Sequence, residues 1–175
     1  MLRNKYTEFR RSILFSSGDF GVAGLQGQCL LPSGGYTPVS AQEGIFNPMI
    51  PGTCPYITSV GATELASNVS VNTPESAAGL SAGGFSNIFR LPDYQKEAVS
   101  QYYSKHPPPY NSSVYNNTQA VRGFPDVSAS GVNYSVAING SFWSISGTSA
   151  SSPVSRPERG RLASSTLSCI SIRRS

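Results

Sequence analysis

The chain has 175 residues, about the length of one domain. Charged residues make up 13% of it, roughly half the usual share of about 25%, and no apolar run approaches the ~20 residues of a membrane-crossing helix. This composition excludes a charge-rich disordered chain and argues against a membrane partner. The net charge of +4 resides in Arg156, Arg159, Arg161, Arg173 and Arg174 against Glu158, while residues 1–154 are neutral, so no nucleic-acid partner is expected either.

In chain order, Met1-Leu2-Arg3-Asn4-Lys5 opens a charged segment without the apolar stretch or the small-residue cleavage site of a signal peptide. Residues 11–17 read as a short buried strand ended by Gly18-Asp19. Residues 54–60 read as a second strand, closed by Gly61. The Gly, Ser and Ala of residues 74–90 predict a surface loop. Pro92 opens a predicted helix over 93–103, with Tyr94, Ala98 and Tyr102 on one face, and 104–118 is loop. A strand begins at 126–129. Residues 132–138 and 141–146 then form a hairpin, because Asn139-Gly140 supplies the two positive φ angles of a type I′ turn. Short strands separated by helical and looped stretches favour an α/β fold with parallel members.

Five Asn-x-Ser/Thr acceptors for N-glycosylation, at Asn68, Asn111, Asn116, Asn133 and Asn139, exceed the roughly two expected by chance and point to a secretory route. Cys29 and Cys54 lie 25 positions apart in loop-like stretches. A disulfide between them would contribute about 3 kcal/mol, although two free buried thiols give the same sequence. Cys169 has no obvious partner.

Two spots carry the parts of a reaction centre. Asp19 follows an apolar strand, where open α/β sheets bind their ligands. Ser149, within Gly147-Thr148-Ser149, stands where a helix begins, with free N–H groups beside its oxygen. Either residue alone is more often an ordinary cap or turn.

Five segments in order resemble successive blocks of one family: Ser16 to Gly24, Thr53 to Thr63, Gly83 to Phe89, Arg122 to Ala129 and Ser146 to Pro153. They are similar to the sedolisins, the serine-carboxyl peptidases, with the nearest likeness among the fungal secreted tripeptidyl peptidases. The resemblance implies a partial subtilisin-like α/β fold, with a mainly parallel sheet flanked by helices, over residues 1–154. It also implies secretion and hydrolysis of peptide or protein substrates in acid. Ser149 would be the nucleophile and Asp19 the acid that donates a hydrogen bond to the oxyanion. A Glu base must then be ionised while Asp19 keeps its proton, as the neutral Asp of ketosteroid isomerase does.

The pattern departs from the family in three places. No Glu of the chain has an Asp four positions on, so the Glu-x-x-x-Asp that supplies the family's base is not found; Asp93 and Glu97 have that spacing reversed and read as a solvated face. Pro157 and Gly160 interrupt the helix that Ser149 should start, and residues 155–175 read as a basic, non-homologous, disordered tail. No Asp follows Asp126, so the family's calcium site has no counterpart and no cofactor is expected. The expectation is a fragment truncated at both ends and catalytically inactive, or a binding decoy. The less favoured alternative is a subtilisin-type centre from Asp19, His106 and Ser149, whose order matches Asp…His…Ser.

Overall fold

The computed structural model describes residues 12–66 and 73–155. Arg11, Asn68, Cys169 and the basic tail from Arg156 onward lie outside the described residues, and so do the expectations attached to them.

The central element is strand β4 (Thr58–Glu64), whose residues Ser59, Val60, Gly61 and Ala62 are all buried. Strand β1 (Leu14–Ser16) runs parallel to it on one edge, pairing Leu14 with Thr58 and Ser16 with Val60. Strand β8 (Val127–Ser130) runs parallel on the other edge, pairing Val60 with Val127 and Thr63 with Ser130. The two-residue β5 (Ser76–Ala77) pairs antiparallel with the end of β4. A strand buried on both faces is what a parallel sheet demands. Helix α2 (Thr148–Val154) lies against β1, β4 and β8. Its approach is close because the facing residues are small: a Cβ on Gly131 would collide with Ser151 Oγ and come within 2.7 Å of Ala62 Cβ.

Three antiparallel pairs surround this sheet. Strands β2 (Gln28–Leu30) and β3 (Tyr36–Pro38) form a hairpin turned by Gly34 and Gly35, both at positive φ. Strand β6 (Gly84–Arg90) pairs with β7 (Val121–Phe124) through a bulge between Phe85 and Arg90. There Ser86 Oγ accepts the N–H groups of Ile88 and Phe89, at 3.1 and 2.9 Å, in place of a neighbouring strand. Strands β9 (Tyr134–Ile138) and β10 (Ser141–Ile145) form the hairpin expected at Asn139-Gly140, with φ of 50° and 78° at the turn. Cross-strand partners share a face, so Trp143, Val136, Ile145, Tyr134 and Ile138 line one side and Phe142 stands on the other, 81% exposed.

The structure corrects three readings. Gly61 does not close a strand at 54–60: it sits in the middle of β4, where a Cβ would come within 2.8 Å of both Pro125 Cγ and Ser128 Oγ. It marks a close approach of chains. Residues 74–90 hold β5 and β6, not one loop, because the Ser86 side chain satisfies backbone groups that composition leaves unassigned. The helix predicted over 93–103 is α1 (Lys96–Lys105), preceded by a 3₁₀ turn at Asp93–Gln95. The tighter turn rotates Tyr94 outward and buries Gln95, so the inner face is led by Gln95 and Val99. Of the two states the sequence leaves open for Cys29 and Cys54, the structure has both as free thiols. Cys29 is buried in the β2–β3 hairpin, while Cys54 is half-buried.

Candidate active site

Two chain segments 129 positions apart meet at the carboxyl end of β1. Ser17 is buried and its N–H donates to Val60 O at 2.8 Å, so the chain stays in the sheet for one residue past β1. Gly18, at φ +113°, makes the turn between Met49 and Ala82, and Asp19 emerges exposed. From the other side, the Gly147 N–H donates to Gly131 O at 2.8 Å, bringing the exit of the β9–β10 hairpin back to the end of β8. Thr148, 1% exposed, then starts α2.

The two segments are tied by a compact set of hydrogen bonds. Asp19 Oδ1 accepts the Thr148 N–H at 2.7 Å and the Thr148 hydroxyl at 2.9 Å. Thr148 Oγ1 in turn accepts the Gly18 N–H at 3.1 Å. Ser149 is exposed beside them. A Cβ on Gly147 would stand 3.0 Å from Ser149 Oγ and 3.1 Å from Asp19 Oδ2, so both side chains face the same point over the Gly147 Cα. The structure therefore brings Asp19 and Ser149 together.

His106 takes no part in the hydrogen bonds that join them. His106 is exposed at the end of α1, its N–H bonded to Tyr102 O at 2.7 Å, whereas Ser149 rides on α2 against the central sheet. Asp93 and Glu97 lie on a solvated face. Lys96 Nζ stands 2.6 Å from Asp93, and its hydrogen bond and charge hold the Asp93 carboxyl below the ordinary range. Gln101 donates to Glu97 at 3.0 Å. Among the sequons, Asn111, Asn133 and Asn139 are exposed, while half-buried Asn116 donates from Nδ2 to Ser86 O at 3.4 Å. Burial pushes the Cys29 thiol up from its ordinary value. No group of three His, Cys, Asp or Glu is placed to hold a metal among the described residues.

A second carboxylate cluster escaped the sequence reading. Arg122, fully buried, donates from its two terminal nitrogens to the two oxygens of Asp126 at 2.7 and 2.6 Å. Asp126 also accepts from Gln95 Nε2 at 2.9 Å and from the Ser59 N–H at 2.8 Å. The signal was an Arg four positions before an Asp, and the Pro between them gave it no helical meaning.

Comparison with known proteins shows what the chain is similar to. No family model matches the chain. Aorsin of Aspergillus oryzae is 44% identical over 163 residues, covering 82% of this chain and 24% of aorsin. Tripeptidyl-peptidase SED1 of Arthroderma otae is 38% identical over 160 residues, with the same two coverages of 82% and 24%. Tripeptidyl-peptidase sed4 of Aspergillus fumigatus is 40% identical over 148 residues, covering 82% of this chain and 22% of the relative. The chain thus spans about a quarter of the length of the curated relatives it matches. Among solved structures, a Pseudomonas sedolisin, described as a serine-carboxyl proteinase, superposes with a TM-score of 0.52 at 19% identity, over 83% of this chain and 36% of that one.

The fold is accordingly a sedolisin-type mixed α/β fold, with a largely parallel core sheet flanked by helices. By homology with its curated relatives, the chain belongs to the sedolisin/tripeptidyl-peptidase family of serine-type peptidases.

Proposed function

We propose that Ser149 and Asp19 are the nucleophile and the oxyanion-stabilising acid of a secreted serine-carboxyl peptidase centre of the tripeptidyl-peptidase or endopeptidase class, cutting peptide or protein substrates in acid. The observation that carries this reading is the convergence of Ser149 Oγ and Asp19 Oδ2 on one point over Gly147. In this scheme Ser149 Oγ attacks the scissile carbonyl, and a protonated Asp19 donates to the oxygen as negative charge develops on it. One such donor is worth about 3–4 kcal/mol of barrier. Residues 1–154 are taken as part of the catalytic domain, with 155–175 outside it.

The general base is the missing part. No Glu of the chain carries an Asp four positions on. Base assistance contributes about 10²–10⁴ in rate. The 175 residues alone are therefore proposed to be inactive, with a base supplied from the length of the relatives that the match does not cover.

The test assays the chain with a peptide reporter bearing a free N-terminus, at about pH 4, where a Glu base begins to ionise. It is run alone and then mixed with the portion of aorsin outside the matched region. The expected result is silence alone and turnover in the mixture, abolished by Ser149→Ala and lowered roughly 10²–10³-fold by Asp19→Ala. Turnover by the chain alone, lost in Ser149→Ala, overturns the inactivity. A mixture that binds but never cleaves makes the chain a decoy.

A further inference from the structure

The carboxyl of Asp19 can serve an oxyanion only if its proton is on the oxygen that faces the substrate. The Gly147 point lies nearer Oδ2 than Oδ1, and the hydrogen bonds around Thr148 give that preference its cause. The Thr148 hydroxyl has one proton. Its oxygen accepts the Gly18 N–H at 3.1 Å, and its proton points to Asp19 Oδ1 at 2.9 Å. The same Oδ1 accepts the Thr148 backbone N–H at 2.7 Å. An oxygen that already receives two donors is a poor place for a proton of its own. Oδ2 accepts no hydrogen bond from Thr148, and it is the nearer oxygen to the Gly147 point, at 3.1 Å against 3.6 Å for Oδ1.

We propose that Thr148 is a positioning residue: it locks Asp19 in one rotamer, occupies Oδ1 with two donors, and so leaves Oδ2 as the proton-bearing oxygen turned toward Ser149. The inference rests on the peptidase reading for its purpose but not for its geometry. The backbone bond alone fixes only the position of Oδ1, and the carboxylate could pivot about it. The hydroxyl, anchored on Gly18 N–H next to Asp19 in the chain, removes that pivot. Thr148 is suited to this because it is 1% exposed and water does not compete for its oxygen. Ser149, its exposed neighbour, has the opposite setting.

The experiment measures the Hα–Hβ scalar couplings of Asp19 by NMR on the full chain, which contains only three aspartates to assign. Wild type should show the couplings of one staggered rotamer, either one large and one small or both small. Thr148→Val, which keeps the shape and loses the hydroxyl, should show two intermediate, averaged couplings, and Thr148→Ser should restore the wild-type pair. In the complemented peptidase, Thr148→Val should lower kcat roughly 10- to 100-fold with KM nearly unchanged. A folded Thr148→Val chain with Asp19 still in one rotamer overturns the proposal. Should that variant fail to fold, averaged couplings in wild type or in Thr148→Ser overturn it equally. The couplings require no peptide cleavage, so an inactive mixture with the expected couplings counts against the peptidase reading alone.

Discussion

Asp19 and Asp126 are the same residue type in opposite settings. Asp126 has both oxygens taken by Arg122 and further bonds from Gln95 and Ser59 N–H, inside the junction of β4, β7 and the turn before α1. Asp19 is exposed, held through Oδ1, with Oδ2 turned to an open point beside a serine. A carboxylate whose acceptor sites are filled by a buried guanidinium can only brace the fold. One fixed by a single oxygen is held in place and still available. What separates the two settings is the number of oxygens left over.

Removing one side of the brace gives the largest effect. Arg122→Ala leaves Asp126 without its counter-charge and should cost about 3–5 kcal/mol in urea unfolding. A cost below about 1 kcal/mol would mean that solvent already compensates Asp126 and would dissolve the contrast. Gly61→Ala pushes a methyl against Pro125 and Ser128 and should cost about 1–3 kcal/mol, separating β4 from the chain that carries Asp126. The Tyr103 hydroxyl is buried without a partner, and burial, reinforced by Tyr115 and Tyr102, raises its ionisation above the ordinary phenol range. A raised value means stability present below the unfolded phenol's range and lost as pH rises through it. Tyr103→Phe should therefore remove an alkaline loss of stability and change neutral stability by no more than about 1 kcal/mol, in the favourable direction. Lys96→Ala sharpens the comparison from its weakest end. The lowered Asp93 carboxyl should return toward its ordinary value, and the loss of stability as pH falls should be too small to detect, because that pair is fully solvated.

Legibility in the sequence followed how local each cause was. The β9–β10 hairpin was readable because Asn139-Gly140 fixes its own turn. Asp19 and Ser149 were readable as residues, since each sits after a recognisable element, and their meeting came from the resemblance rather than from spacing. Gly61 was misread because a glycine that ends a strand and one that admits a neighbouring chain look identical until Pro125 and Ser128 are in place. The β2–β3 and β6–β7 pairs were missed, the second because its bulge is completed by the Ser86 side chain. The helix was displaced by a 3₁₀ turn that no hydrophobic period announces. Thr148 was read only as the neighbour of Ser149, since its partners stand at Gly18 and Asp19, far away in the chain.

Gly131, Ala62 and Ser151 let α2 settle almost directly onto the sheet. The elevation of the Ser149 hydroxyl above that surface is thus governed by atoms that are absent, much as a shim sets a gap by its thinness. One methyl at residue 131 would lift the whole first turn and carry the serine out of reach of Asp19 without altering either residue.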